Sequence, residues 1–86
     1  MSKLLFSEQA WEEYLFWQAQ DKKILNRINV LLQDISRHHF YGLGKPEPLK
    51  NRDGYWSRRI DDRHRLLYKV HSDHIEIIQC KGHYSD

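Results

Sequence analysis

Between Lys22 and His38 apolar side chains recur at Ile24, Leu25, Ile28, Leu31, Leu32 and Ile35, with Lys22, Lys23, Asn26, Arg27, Gln33 and Asp34 between them. Spacings of three and four predict one amphipathic helix with a broad buried stripe. Upstream, Ala10, Trp11, Tyr14, Leu15 and Trp17 follow the same spacing and predict a helix from Glu8 to Gln20. Ser7 suits its N-cap with Glu8 in the first turn, and Asp21 can cap the second helix. Lys3-Leu4-Leu5-Phe6 reads as a short opening strand. After Gly54 the period changes to two, predicting strands over Tyr55 to Ile60, His64 to Val70 and His74 to about Gly82. Asp61-Asp62-Arg63 and His71-Ser72-Asp73 are short polar joints that close two hairpins. Two prolines and three glycines between Tyr41 and Gly54 argue against helix or central strand, so this stretch is expected to be an ordered surface loop. The sum is an α+β fold, an N-terminal strand and two helices packed on an antiparallel sheet.

At 86 residues the chain has room for one domain, spanning 1–86, with one core. Three Trp, five Tyr and three Phe bury much area per residue and offset the small size. No apolar run approaches the roughly 20 residues that cross a bilayer, and the N-terminus lacks the apolar stretch of a secretory signal. The expectation is a soluble, cytoplasmic protein without a membrane partner. The single cysteine, Cys80, excludes an internal disulfide and, beside Ile75, Ile77 and Ile78, is expected to be a buried, inert thiol. Net charge is only +2, but from Lys45 to Lys69 eight Lys or Arg face four acids, which marks that half as the anion-facing one.

Cutting RNA without a metal needs a base for the 2′-hydroxyl proton, an acid for the departing 5′-oxygen and a cation for the charge gathering on phosphorus. Glu47, His83 and Arg65 stand where such groups can converge. Pro46 and Pro48 restrict the backbone on either side of Glu47, although rigid acidic loops also occur without function. His83 stands at the end of the last predicted strand, where an imidazole can reach bound RNA; taken alone, a near-terminal histidine is more often inert. Arg65 alternates with Leu66 and Tyr68 and so points to the sheet face away from the helices, as a merely superficial arginine also would. The pairs His38-His39 and His71/His74 lack the spacing of a zinc site, and Gly42-Leu43-Gly44 lacks the strand and helix that frame a phosphate loop. No metal or other cofactor is expected.

Four separated segments, Gly44-Lys45-Pro46-Glu47-Pro48-Leu49-Lys50, Trp56-Ser57-Arg58-Arg59-Ile60, His64-Arg65-Leu66-Leu67-Tyr68 and His83-Tyr84, together with Trp11 to Gln18, resemble the Txe/YoeB branch of the RelE toxin superfamily. The resemblance covers nearly the whole chain. It implies a microbial-ribonuclease-like fold, cleavage of messenger RNA in the A site of the 70S ribosome, and a YefM-type antitoxin that masks the site. It further implies a homodimer, with operator DNA reached only through the antitoxin. Position by position, Glu47 corresponds to the general base, His83 to the general acid and Arg65 to the transition-state cation. Tyr84 corresponds to an aromatic that stacks on a nucleotide, and Lys50, with Lys45 and Arg59, to phosphate contacts. One departure is that Ser85 and Asp86 follow the His-Tyr pair, adding an acid near the site.

Two other classes fit parts of the pattern. A silent RNA- or ribosome-binding module needs the basic face but neither Glu47 nor His83, and a structural partner would use Trp11, Trp17 and Trp56 as interface anchors rather than as core.

Overall fold

The computed structural model of the protein describes residues 2–83. Strand β1 (Lys3–Phe6) leads into helices α1 (Glu8–Gln20) and α2 (Lys22–Arg37), followed by strands β2 (Glu47–Pro48), β3 (Tyr55–Arg59), β4 (Arg65–Val70) and β5 (His74–Gln79). The helix starts are fixed by side chains: the Ser7 hydroxyl accepts from Ala10 N–H, and the Asp21 carboxylate from Lys23 and Ile24 N–H. Helix α2 stops at the cap residue His38.

The five strands form one sheet in the order β1-β5-β4-β3-β2. From β2 to β5 the pairing is antiparallel, as expected, but β1 lies parallel to β5, so the sheet is mixed. Two helices and most of the chain separate β1 from β5, so no tight turn dictates their relative direction. Ser7 secures the arrangement, its N–H donating to Ile77 C=O and its hydroxyl to Ile78 C=O. The prolines did not exclude a strand either: Glu47 and Pro48 form a two-residue edge strand opposite Ser57 and Trp56, a sheet position where proline's missing N–H is tolerated.

The stripe of α2 is buried as its period predicts, with Ile28, Leu31, Leu32 and Ile35 packed with Ala10 and Trp17 against Leu66, Tyr68, Ile75 and Ile77. Helix α1 departs from its expected face. Ala10 and Trp17 are buried, but Trp11 and Leu15 remain 49% and 43% exposed. Trp11 instead stacks on Tyr14 and meets the edge of Phe6 outside the core. Trp56 is half-buried against the core. Cys80 is buried, and its thiol is pushed up to about 12 by burial and, secondarily, by the Glu13 carboxylate, which makes it a poor nucleophile at neutral pH.

Candidate active site

The loop that leaves α2 is built around an arginine that points inward. Trp56 and Arg58 share the helix-facing side of β3, with Ile60 continuing the phase just beyond the strand, and Arg58 is fully buried. Its Nη1 donates to the Asp34 carboxylate and to Leu43 C=O, its Nη2 to the carbonyls of His38 and Tyr41, and its Nε to the Tyr68 hydroxyl. All five guanidinium N–H groups are thus occupied. Burial alone would raise the Asp34 carboxyl, but the N–H of Leu43 and the Arg58 guanidinium outweigh it and hold the group below the ordinary carboxylate range. Arg58 was expected among the anion-facing cations; it belongs instead to the interior and fixes the path of residues 38–43.

The next residues aim Glu47. Gly44 adopts φ 79°, and a Cβ there would come 2.9 Å from Leu31 Cδ2 and 3.0 Å from the Arg59 carbonyl, so this close approach requires glycine. The Gly44 carbonyl accepts from Arg59 N–H at 2.7 Å. Lys45 follows with φ 51°, a left-handed conformation that costs a non-glycine residue roughly 1–2 kcal/mol. Pro46 then leads into β2, which carries Glu47 alongside β3.

Glu47 and Arg65 meet: Arg65 Nη2 lies 3.0 Å from Glu47 Oε1, with the arginine side chain 17% and the carboxylate 56% exposed. Arg65 Nε donates to the Ser57 hydroxyl at 3.2 Å. This is the sheet face away from the helices, as the alternation predicts, yet it is not bare, since Ser57, Leu67 and Leu49 are all buried outside the main core cluster. Ser57 was missed as a site residue; its sequence signal was its phase, in register with Glu47 on one side and Leu67 on the other.

The C-terminal segment reaches the same corner. Strand β5 ends at Gln79, short of the expected Gly82, but Arg65 N–H donates to Gly82 C=O at 3.0 Å and Gly82 N–H to His64 Nδ1 at 2.8 Å. His83 follows directly and is exposed. Tyr84, with Ser85 and Asp86, lies outside the described residues. Lys45, Lys50 and Arg59 are exposed, and Arg59 forms an ion pair with Asp62.

The remaining histidines have other partners. His39 Nδ1 bonds to Ile35 C=O, while His71 and His74 stack with ring centroids 4.3 Å apart and pair with Glu76 and Asp73 respectively. Among the described residues no group of three or more His, Cys, Asp or Glu is arranged to hold a metal ion, and no helix is long and apolar enough to cross a membrane.

Comparison with known proteins gives a consistent result. Residues 6–84 match the family described as YoeB-like toxin of bacterial type II toxin-antitoxin system. The chain is 52% identical over 83 residues to the toxin YoeB of Escherichia coli K12, covering 95% of this chain and 99% of that one. Its fold is similar to a YoeB dimer from Staphylococcus aureus, with TM-score 0.91, 49% identity and coverage of 96% and 98% of the two chains. A YoeB-YefM complex from the same organism gives TM-score 0.87 at 48% identity over 98% of this chain and 99% of that one.

Proposed function

Since the chain belongs to the family of YoeB-like toxins of bacterial type II toxin-antitoxin systems, we propose that it is a metal-independent endoribonuclease that cuts messenger RNA in the ribosomal A site and so stops translation. The observation that carries this reading is the Glu47–Arg65 pair, 3.0 Å apart on the sheet face, with the backbone just before His83 hydrogen-bonded to Arg65 itself. In this reading a phosphate enters against the guanidinium. Glu47 takes the proton of the 2′-hydroxyl, whose oxygen attacks phosphorus. Arg65 holds the charge that accumulates on the phosphoryl oxygens, and His83 gives a proton to the departing 5′-oxygen. The bond from phosphorus to the 5′-oxygen breaks, leaving a 2′,3′-cyclic phosphate and a 5′-hydroxyl. Tyr84 would stack on a base, and Lys45, Lys50 and Arg59 would contact phosphates.

By analogy with the S. aureus YoeB dimer and YoeB-YefM complex, the partners of this chain are a YefM-type antitoxin and a second copy of itself, in addition to the 70S ribosome with its messenger. The experiment is primer extension on a messenger translated in vitro, with wild type beside Glu47→Gln and His83→Gln. Cuts at A-site codons by wild type, absent or strongly reduced in both variants, support the enzyme. A folded wild type that binds ribosomes and never cuts replaces it with the silent binding module.

A further inference from the structure

Beyond β5 the chain leaves the sheet ladder, and three successive residues are then held mainly by side chains from elsewhere. Cys80 N–H donates to Glu13 Oε1 at 2.7 Å, and Cys80 C=O accepts from Trp17 Nε1 at 2.9 Å. The Lys81 ammonium lies 4.6 Å from the centre of the Phe16 ring. Gly82 is gripped on both sides of its residue, by His64 Nδ1 at its N–H and by the Arg65 N–H at its C=O. Its φ of 84° bends the chain here, and a Cβ would meet nothing within 4 Å, so conformation rather than space favours glycine. His64 is itself braced, the Trp17 ring meeting it edge-on with centroids 4.8 Å apart. An imidazole that accepts at Nδ1 in the neutral form carries its proton on Nε2, so the Trp17 contact and the Gly82 bond together define one tautomer and one ring orientation.

From this juxtaposition we infer that His64 is a positioning residue for the reaction: by accepting from Gly82 N–H it sets where His83 leaves the sheet relative to Arg65. The inference rests on the catalytic reading of His83 given above. A free chain end would sample many directions, and a proton donor displaced by about 1 Å costs on the order of a hundredfold in rate. The grip on Gly82 holds this segment beside the start of β4. The Glu47 and Arg65 side chains of the ion pair are carried by β2 and β4.

The test compares wild type, His64→Leu, His64→Asn and Gly82→Ala in ribosome-dependent cutting, together with the Gly82 amide resonance. Asparagine places Oδ1 where histidine places Nδ1 and restores the acceptor; leucine fills similar space without one. His64→Leu should cut about ten- to a hundredfold more slowly at saturating ribosomes, with ribosome affinity unchanged and Gly82 amide exchange accelerated. His64→Asn should stay within about threefold of wild type. Gly82→Ala, which strains the bend without touching His64, should follow His64→Leu. If wild type cuts and folded His64→Leu cuts equally fast, or His64→Asn falls as far as His64→Leu, the positioning role is wrong while the enzyme stands. If wild type cuts nothing, both fall together.

Discussion

Arg58 and Arg65 lie on neighbouring antiparallel strands, and each faces a single carboxylate, yet they are opposite kinds of residue. Arg58 is fully buried and spends five N–H groups on five acceptors within the fold. Arg65 is 17% exposed and, among the described residues, its guanidinium meets only the Ser57 hydroxyl and the Glu47 carboxylate, the latter 56% exposed. A guanidinium with every donor satisfied and no path to solvent can only hold protein together. One that solvent partly reaches, on a carboxylate that water also reaches, can exchange part of its pairing for a phosphate. The two share residue type and differ in which side of the sheet they face.

The largest effect should come from breaking the interior pair. Arg58→Met leaves Asp34 without its cation and three loop carbonyls and the Tyr68 hydroxyl without this donor, and Asp34→Asn leaves a buried guanidinium uncompensated. Either should cost about 3–5 kcal/mol of unfolding free energy, a large share of the roughly 5–15 kcal/mol typical of a domain. Urea titration measures it. Because the Asp34 carboxyl is held below its ordinary range in the fold, the pair's contribution is complete above the ordinary carboxylate range near pH ~4 and is lost as pH falls through the lower folded value. Wild-type stability should therefore drop in acid more steeply than that of Asp34→Asn, and the two curves should approach each other. Parallel curves would mean that Asp34 is not the partner the geometry indicates.

The next effect belongs to the other arginine and to rate rather than stability. Arg65→Lys keeps the charge but removes the planar fork that reaches Ser57 and Glu47 together. Cutting should slow by about tenfold to a hundredfold, the loss expected when a transition-state donor is misplaced, while the melting temperature stays near that of wild type. The reverse result, intact cutting with a lowered melting temperature, would make Arg65 a second Arg58.

Much of this contrast was legible before any coordinates. Period two in Trp56-Ser57-Arg58-Arg59-Ile60 puts Arg58 in phase with two core residues, and reading phase ahead of charge would have placed it inside. The same rule placed Arg65 correctly, opposite Leu66 and Tyr68. Helix boundaries were readable because Ser7, Asp21 and the α2 stripe are local signals. What escaped was non-local. The parallel pairing of β1 depends on a contact across most of the chain, the exposure of Trp11 depends on where α1 crosses the sheet, and the grip of His64 on Gly82 joins residues that no spacing rule relates.

The smallest expected effect is also the one that most directly tests whether the two pairs differ in kind. The Glu47–Arg65 bridge is a surface pair with a half-exposed carboxylate, and such pairs contribute about 0–1 kcal/mol. Glu47→Gln keeps the shape and a hydrogen-bond acceptor, so unfolding free energy should change by less than about 1 kcal/mol, although the same variant is expected to stop cutting. Raised salt should leave that small difference unchanged or shrink it, because exposed charges are screened. A loss of about 3 kcal/mol, comparable with removing one partner of a buried pair, would show that Glu47 is anchoring β2 to β4. Its carboxylate would then resemble that of Asp34 in function as well as chemistry, and the case for Glu47 as a base would have to rest on cutting data alone.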